Sequence, residues 1–456
     1  MKINSDIFRE YDIRGIVDRD LIPETVQLLG KGVGTYFRRN NKRDVAIGRD
    51  CRLSSNVFFK AISKGVLSTG CNVIELGTIP TPLLYFYIYS KKIDAGVMIT
   101  GSHNPPEYNG FKLMLGEDTL YGEEIQNIYK IIQQEDFIIE KEGQKRFYNI
   151  IPEYTDFITQ SIKTKKKLKV VIDAGNGTAG VIAAPVFKKL GCEVIELFCE
   201  MDGTFPHHHP DPTLPEALKT IIKKVSEVNA DVGLAYDGDG DRIGVIDDEG
   251  KIIWGDQLLI LFSRDILPQN PGATVISEVK ASKILYDEIE NLGGQPIMWK
   301  TGHSLIKKKI KDEKALLAGE VSGHIFFADR YFGFDDAIYC SARLIEILSR
   351  SNKRLSQMLS NLPQTFNTPE IRIYASDEVK FKIVEKVKHE LSKKHSIIDI
   401  DGVRAIYPNG WGLVRSSNTQ ECLVLRFEAD TEKDLKEIRK EVEKTVEMAI
   451  KRLKYS

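Results

Sequence analysis

Short apolar runs alternate with amphipathic stretches along the N-terminal part of the chain. The apolar run Val45–Gly48 precedes a helical pattern over Ser54–Leu67, and a second apolar run follows at Cys71–Leu76. Strands that alternate with helices of this length form mostly parallel sheets. We therefore predict an α/β unit here, with further helices over Thr25–Arg39 and Glu123–Gln134.

The same succession of strand, turn and helix returns twice further along the chain. A strand at Lys169–Asp173 leads into a helix over Val181–Leu190, and a strand at Thr274–Lys280 leads into a helix over Ala281–Leu292. The pattern predicts three α/β units in tandem, although sequence identity between them is faint.

The last part of the chain has a different pattern. Helices are predicted over Asp377–Lys394 and Glu432–Lys451, with the strand Cys422–Phe427 between them. The chain of 456 residues suggests about three domains, possibly four, at ~100–200 residues each.

Composition and charge argue against several classes of protein. The net charge is −1, whereas proteins that bind nucleic acid or membrane surfaces usually carry a strong basic excess. No run of ~18 apolar residues predicts a membrane span, and Met1–Asp6 does not open a signal peptide. Six cysteines without a C-x-x-C pair indicate free thiols. We expect a cytoplasmic protein that binds neither nucleic acid nor membranes.

A polar hexapeptide, Thr100–Pro105 (TGSHNP), follows the predicted strand Ile93–Ile99 and precedes another at Phe111–Leu115. Ser102 therefore lies on a loop at a strand end. A serine hydroxyl needs a base or a charged setting to react, whereas Gly, Ser, Asn and Pro are also ordinary turn residues. Both interpretations remain open from this hexapeptide alone. The polar stretch Glu10–Gly15 has, on its own, the character of a surface turn.

An acidic loop lies between two predicted strands, at Asp231–Tyr236 and Ile243–Asp247. Within it, the aspartates of Asp237–Arg242 (DGDGDR) stand at alternate positions and can surround one hard cation such as Mg²⁺ or Ca²⁺. An EF-hand is excluded, because Arg242 replaces the required glycine and Asp248 the final glutamate. Three carboxylates leave coordination positions open for a phosphate oxygen.

Two further motifs allow other interpretations. The turn Gly175–Gly180 reads G-x-G-x-x-G after a strand, with Glu196 near the position of a ribose-binding acid, so it predicts either a dinucleotide site or a tight turn. We favour the turn, because the stronger chemistry in the chain is of another kind. The loop His207–His209 does not present its side chains in one direction and makes a poor metal site.

Polar loops near the C-terminal half complete the candidate chemistry. Glu, Ser and His in Gly319–His324 can hydrogen-bond a sugar, and Thr301–Ser304 precedes a basic helix. An arginine beside small hydroxyl residues, as in Arg415–Thr419, suits a phosphate group.

Four motifs in this order resemble those of the α-D-phosphohexomutase family, most like its bacterial phosphomannomutase/phosphoglucomutase branch. They are Thr100–Pro105, Asp237–Arg242, Gly319–His324 and Arg415–Thr419, and the resemblance covers nearly the whole chain. The family implies three tandem related α/β domains plus a smaller α+β C-terminal domain around a central cleft. We place the domains at residues 1–150, 151–253, 254–368 and 369–456. In that order they carry the phosphoserine, metal-binding, sugar-binding and phosphate-binding loops.

The resemblance also implies roles for the matching residues. The catalytic positions would be Ser102, which holds the phosphoryl group, with Arg14, Lys112, Arg242 and His303. The metal ligands would be Ser102, through its phosphate, and Asp237, Asp239 and Asp241. The substrate-binding positions would be Lys280, Glu320, Ser322, His324, Arg415, Ser417, Asn418 and Thr419. Gln420 and Glu421 depart from some relatives, which weakens any inference about the sugar.

The family activity implied is the interconversion of hexose 1-phosphate and hexose 6-phosphate, with mannose and/or glucose as the sugar. It would proceed through an enzyme phosphoserine and a hexose 1,6-bisphosphate intermediate, with one Mg²⁺ per chain. Partners would be small-molecule hexose phosphates, and the protein a monomer or homodimer. Phosphoglucosamine mutase is the alternative, although Val321 fits the mannose/glucose branch. The alternatives from other function classes are a nucleotide-dependent oxidoreductase, a phosphatase and a metal-binding scaffold. The preferred sugar, the oligomeric state, the phosphorylation state of Ser102 and the general base stay open.

Overall fold

The computed structural model describes residues 3–418 and 420–454. In this part of the chain, the first predicted domain contains a seven-stranded mixed sheet in the order β1-β5-β4-β2-β3-β7, with β6 beside β5. Its elements are β1 (Ile13–Ile16), α1 (Pro23–Arg39), β2 (Asp44–Arg49), α2 (Ser55–Leu67), β3 (Asn72–Thr78), α3 (Thr81–Lys91), β4 (Ala95–Ile99), β5 (Tyr108–Leu115), β6 (Asp118–Thr119), α4 (Glu123–Gln133) and β7 (Lys145–Phe147). The parallel pairs β4–β2 and β2–β3 bring their carboxyl ends to one edge of the sheet.

The second and third predicted domains repeat the α/β architecture with smaller sheets. The second has α5 (Ile151–Ser161), β8 (Lys169–Asp173), α6 (Gly180–Lys189), β9 (Glu193–Leu197), α7 (Lys219–Val228), β10 (Val232–Tyr236), β11 (Ile243–Ile246) and β12 (Ile252–Ile253). The third has α8 (Gly255–Ile266), β13 (Thr274–Glu278), α9 (Lys283–Asn291), β14 (Gln295–Trp299), α10 (His303–Glu313), β15 (Leu317–Gly319), β16 (Ile325–Phe327), α11 (Ala337–Arg350) and α12 (Leu355–Met358). Their sheet orders are β12-β11-β10-β8-β9 and β14-β13-β15-β16.

The C-terminal domain is built on an antiparallel sheet, ordered β17-β22-β21-β20-β19 with β18 beside β22. Its elements are β17 (Phe366–Asn367), β18 (Ile371–Tyr374), α13 (Asp377–Leu391), β19 (Ser396–Ile398), β20 (Val403–Tyr407), β21 (Gly410–Ser416), β22 (Cys422–Ala429) and α14 (Glu432–Lys454). Helices α13 and α14 pack their apolar stripes on this sheet around a separate core. The predicted fold class, three α/β domains followed by an α+β domain, is confirmed.

Two differences from the sequence prediction bear on the site. The stretch expected as a surface turn continues into β1, which pairs with β5 through Ile13 and Phe111, and Tyr11 is buried. Helix α3 was not predicted, because its residues are buried on every side and it therefore lacks an amphipathic pattern. No helix in the described ranges is both long and apolar enough to cross a membrane.

Candidate active site

The loop between β4 and β5 places Ser102 against the acidic loop of the second domain. The Ser102 Oγ donates a hydrogen bond to Asp237 Oδ2 at 2.8 Å and lies 3.1 Å from His103 Nδ1. Burial, with Arg242 and Arg14 nearby, holds the pKa of His103 well below its ordinary value. Arg14 itself donates to Asn104 Oδ1 at 2.7 Å, so it lies against the same loop. Ser102 is thus a buried hydroxyl beside a carboxylate and a neutral imidazole.

The turn between β10 and β11 presents three carboxylates, from Asp237, Asp239 and Asp241. All three are fully buried, and their ligand atoms lie within 4.8 Å of one another. Burial raises the pKa of Asp237 well above its ordinary value, and the charges of the other two aspartates add to the effect. So much negative charge in a buried site needs a cation.

Lys112, on β5, provides one such cation from the first domain. Its Nζ lies 2.8 Å from Asp239 Oδ2 and 2.5 Å from Asp241 Oδ2. Burial alone would lower the pKa of Lys112, but the two carboxylates outweigh it and raise the pKa well above its usual range. The hydroxyl of Thr81, at the start of α3, also donates to Asp239 Oδ2 at 2.6 Å.

The donor set of this loop fits a hard divalent cation. Even with Lys112 and Thr81 in place, Asp239 Oδ1 and Asp241 Oδ1 are buried and have no hydrogen-bond partner among the described residues. All the candidate ligand atoms are carboxylate oxygens, which Mg²⁺ prefers. The described part of the chain therefore contains a candidate metal site.

Two histidines of the third domain meet beside the metal loop. His303, which begins α10, and His324, in the turn before β16, stack with ring centroids 5.4 Å apart. Asp335 Oδ2 lies 3.3 Å from the Nδ1 of His303 and 3.0 Å from that of His324, and Lys307 Nζ donates to Asp335 Oδ1 at 3.1 Å. Arg242 Nε donates to His324 Nε2 at 2.9 Å. Burial, assisted by Lys307, lowers the pKa of His303 to about 4, so this imidazole is neutral near pH 7.

The loop predicted to bind sugar lies around the start of α10. Glu320 is buried and accepts the Gly302 backbone N–H at 2.8 Å, and burial raises its pKa. Ser322 is half-buried in the same turn. Lys280 donates to Glu370 Oε1 at 2.6 Å. Lys280 lies in the turn beyond β13, whereas the sequence predicted it at the end of the strand itself.

Of the residues predicted to bind the second phosphate, those that the structure describes lie at the end of β21 and in the hairpin loop that follows it. Arg415 is part of β21 rather than of the loop, a correction to the prediction, and its Nε donates to Asp401 Oδ2 at 2.9 Å. Asn418 Nδ2 donates to the Tyr11 hydroxyl at 2.7 Å, and Ser417 Oγ accepts the Gln420 N–H at 3.1 Å. Thr419 lies outside the described residues.

The segment Thr301–His303 connects these groups. The Thr301 N–H donates to Asp401 at 3.0 Å, and the Thr301 carbonyl accepts from the Tyr11 hydroxyl at 2.9 Å. His303 stacks on His324, and the Gly302 N–H donates to Glu320. A continuous chain of contacts therefore runs from Ser102 through the metal loop and the histidines to Arg415, with contributions from all four domains.

Several of these residues carried no signal in the sequence. Thr81 begins an unpredicted helix, and Lys307 lies in a helix that the sequence marked only as basic. Asp335 precedes α11 in a loop of mixed aromatic and polar residues without a motif. Thr81 and Asp335 meet partners that are remote in the chain, whereas Lys307 also lies one helical turn after His303, with 3.3 Å between Lys307 Nζ and His303 Nδ1.

The G-x-G-x-x-G turn has a structural explanation. A Cβ at Gly177 would lie 2.7 Å from the carbonyl oxygen of Gly238, so the turn packs directly on the metal loop. The following histidines serve separate partners: His207 Nδ1 lies 2.7 Å from Asn176 Oδ1, and His208 Nε2 lies 3.0 Å from Asp173 Oδ1. The glycines are therefore required for packing, and His207 and His208 do not converge on one point.

Family models match the chain in four consecutive segments. They are described as phosphoglucomutase/phosphomannomutase alpha/beta/alpha domain I (residues 5–139), domain II (152–250) and domain III (254–366), and the C-terminal domain (370–445).

Individual proteins resemble the chain over nearly its whole length. A phosphomannomutase/phosphoglucomutase of Pseudomonas aeruginosa is 48% identical over 436 residues, which are 95% of this chain and 94% of that protein. A phosphoglucomutase of Neisseria meningitidis is 45% identical over 449 residues, 98% and 97% of the two chains. The crystal structure of a phosphoglucomutase/phosphomannomutase family protein from Burkholderia thailandensis superposes with a TM-score of 0.93 at 41% identity and covers 98% of both chains.

Proposed function

We propose, because the chain belongs to the phosphoglucomutase/phosphomannomutase family, that the connected site described above is one mutase active site built by four domains. The enzyme is an isomerase that interconverts hexose 1-phosphate and hexose 6-phosphate. One observation carries the assignment of its reacting group: the 2.8 Å hydrogen bond from Ser102 Oγ to Asp237, at the edge of three buried carboxylates. A phosphoryl group on Ser102 would lie directly beside that candidate metal site.

Mg²⁺ fits the three carboxylates. Asp237, Asp239 and Asp241 would hold the ion together with an oxygen of the phosphorylated Ser102, since two of their buried oxygens lack partners. When bound, the ion supplies stabilisation for charge on the transferring phosphoryl group. The approach of Lys112 to the same carboxylates supports the idea that this loop is built to be neutralised by cations.

Different residues of the chain then have separate roles in the phosphoryl transfer. The bond between phosphorus and Ser102 Oγ breaks while a bond forms from phosphorus to a sugar hydroxyl oxygen. The hydroxyl proton passes to a base, for which the neutral imidazole of His303 is available, and the released Ser102 oxygen takes up a proton to return to its hydroxyl form. Lys112 and Arg14 stabilise the charge on the phosphoryl oxygens, and Arg242 holds His324 beside them.

The more distant residues orient the substrate in both halves of the reaction. Glu320 and Ser322 would hold sugar hydroxyls, with Lys280 beside them. Arg415, Ser417 and Asn418 would bind whichever phosphate is not reacting. After the first transfer, hexose 1,6-bisphosphate must turn within the cleft so that Ser102 receives the other phosphate. A second phosphate-binding site of this kind distinguishes a mutase from a simple phosphatase.

The substrates are expected to be mannose and glucose phosphates. The relatives that are 48% and 45% identical carry the names phosphomannomutase/phosphoglucomutase and phosphoglucomutase, so the phosphoglucosamine alternative is not favoured. Val321, between Glu320 and Ser322, agrees with this choice. The free cysteines suit a reducing cytoplasm, where we place the enzyme as a monomer or homodimer.

Phosphorus NMR tests the proposal. The enzyme incubated with Mg²⁺, a trace of glucose 1,6-bisphosphate and glucose 1-phosphate should produce glucose 6-phosphate and carry phosphate on Ser102. Arg415→Ala should isomerise more slowly, release bisphosphate and recover part of its rate when bisphosphate is added. Arg439→Ala, which removes an exposed arginine from the same domain, is the matched control and should behave as wild type. Inorganic phosphate as the main product of the wild-type enzyme, without 6-phosphate, would overturn the assignment.

A further inference from the structure

Arg52, in the turn between β2 and α2, is a buried arginine that none of the predicted roles includes. Its guanidinium donates to four backbone carbonyl oxygens of the loop that carries Ser102. One terminal nitrogen lies 2.6 Å from Pro105 O and 3.0 Å from Tyr108 O. The other lies 2.9 Å from Ser102 O and 2.5 Å from Asn104 O. A single side chain therefore binds both the start and the end of this loop.

Asp50 holds the other side of the guanidinium. Its Oδ2 lies 3.2 Å from Arg52 Nε and also accepts the Gly101 N–H at 3.0 Å. Its Oδ1 accepts from the Ser55 hydroxyl at 2.5 Å. Both Asp50 and Arg52 are almost completely buried, so their charges are compensated by each other and by the loop backbone.

The backbone of Ser102 needs such support. Its φ is +49°, in the left-handed region that residues with a side chain rarely adopt. A conformation of this kind persists where surrounding contacts determine it. Here the Ser102 carbonyl is bound by Arg52 and the Ser102 N–H donates to Thr100 Oγ1 at 2.8 Å. The same backbone conformation directs the Oγ toward Asp237.

Space around the guanidinium is also filled. A Cβ at Gly101 would lie 2.5 Å from both the Cζ and the Nε of Arg52, so this position accommodates only glycine. On the other side, the Phe205 ring of the second domain lies 5.0 Å from Arg52 Cζ. Arg52 thus fixes the loop of the first domain and contacts the domain that holds the metal loop.

We propose that Arg52 is a positioning residue for the phosphoserine: by binding four carbonyls of the loop, it holds Ser102 Oγ aimed at Asp237 for both phosphoryl transfers. The inference rests on the proposed function of Ser102. Its consequence is geometric, because a phosphoryl group held loosely is out of line with the sugar hydroxyl and open to water. Displacements of ~1 Å in a reacting group can cost about 100-fold in rate.

Arg52→Lys is the principal test, because lysine keeps the charge but lacks the planar fork that binds several carbonyls. We expect kcat to fall by about 10- to 100-fold while KM for glucose 1-phosphate stays within about twofold, since the groups that bind substrate are untouched. We also expect phosphate on Ser102, followed by mass spectrometry after loading with glucose 1,6-bisphosphate, to hydrolyse several-fold faster. Guanidinium ion should partly restore kcat to Arg52→Ala.

The matched control is Arg343→Lys. Arg343 is also a buried arginine that binds a carboxylate, Asp329 at 2.8 Å, and lies over an aromatic ring, Phe327, but it is in the third domain. This variant should keep kcat and the phosphoserine lifetime within about twofold of wild type. If Arg52→Lys fails to fold, Arg52→Gln, whose planar amide keeps an N–H₂ donor for the carbonyls, should show the same pattern of a lower kcat at unchanged KM.

The outcomes separate the inference from the proposed function. Lower kcat at unchanged KM, with faster loss of the phosphate, supports the role of Arg52. A wild-type kcat and phosphoserine lifetime in Arg52→Lys, in an enzyme that is phosphorylated on Ser102, overturn this inference alone. An increase in KM that accounts for the whole loss of kcat/KM also overturns it. A wild-type enzyme that never carries phosphate on Ser102 overturns the proposed function and this inference together.

Discussion

Replacing Lys112 with methionine should expose how strongly the metal loop depends on a cation. Lys112 Nζ contacts Asp239 at 2.8 Å and Asp241 at 2.5 Å, and none of the three side chains is more than 4% exposed. Removing one partner of such a buried pair costs about 3–5 kcal/mol, because the remaining charges are left without compensation. We therefore expect Lys112→Met to lower the free energy of unfolding by ~3–5 kcal/mol in the presence of a chelator.

The pH at which this is measured should matter little. The pKa of Lys112 is above its ordinary value in the folded protein, because the two carboxylates outweigh the effect of burial. Its contribution is therefore fully present below the unfolded lysine pKa of about 10.4 and is lost only as the pH rises through the folded pKa. The loss in Lys112→Met should thus be similar from about pH 6 to about pH 9.

Magnesium provides the second arm of the assay. A ligand that binds only the folded state at 100 times its Kd adds about 2.7 kcal/mol to stability. Without Lys112, the carboxylates have more charge left to neutralise and should bind Mg²⁺ more tightly, and each tenfold gain is worth ~1.4 kcal/mol. Urea denaturation followed by circular dichroism, in chelator and in excess Mg²⁺, should show a smaller deficit of the variant in Mg²⁺.

Lys92→Met is the matched control. Lys92 also forms a pair, with Glu117 at 2.5 Å, but its side chain is 75% exposed. An exposed pair of this kind contributes about 0.2–1 kcal/mol. The reasoning is refuted if Lys112→Met loses no more stability in chelator than Lys92→Met does, or if Mg²⁺ widens the deficit.

Three further predictions follow from the site. Asp239→Ala should abolish Mg²⁺-dependent mutase activity while the fold persists, and full activity of this variant in a chelator would contradict it. Glu320→Ala should raise KM and lower kcat together for glucose 1-phosphate, because it removes a group expected to position the sugar; unchanged kinetics on every hexose phosphate would exclude that contact. Burial lowers the pKa of His303 to about 4 in the folded protein, whereas a histidine in the unfolded chain has a pKa of about 6.5. As the pH falls between these two values, the unfolded chain binds a proton at this residue and the folded protein does not, so the free energy of unfolding declines. His303→Gln should accordingly flatten the decline in stability across that pH interval in urea titrations, and an unchanged slope would argue against a neutral His303.

The fold and much of the site were predictable from local patterns. The strands before Ser102 and around Asp237 are continuous apolar runs, and the loops between them carry polar residues that a simple turn does not need. Such signals are contained within about ten residues, so the sequence alone displays them.

The unpredicted parts depend on partners that are remote in the chain. Helix α3 is apolar on all sides, and its one contribution to the metal loop, Thr81, meets Asp239 across 158 residues. Lys307 pairs with Asp335, and Arg52 with carbonyls some fifty residues away, at positions where single polar residues have no distinctive spacing. The stretch Glu10–Gly15 was expected at the surface, but Tyr11 is buried by the third and C-terminal domains, which local polarity does not reveal.

The pairing of Lys112 with Asp239 and Asp241 has a consequence for biosynthesis. Lys112 belongs to the first domain, and Asp241 lies 129 residues later in the chain. At about 5–20 residues per second, a ribosome needs roughly 6–26 s to add that interval. During this time the ammonium group of Lys112 lacks its acidic partners. The surface around it on β5 is not yet covered by the second domain. Burial of this surface must therefore wait for the second domain to emerge, so this step in maturing the first domain depends on translation of its neighbour.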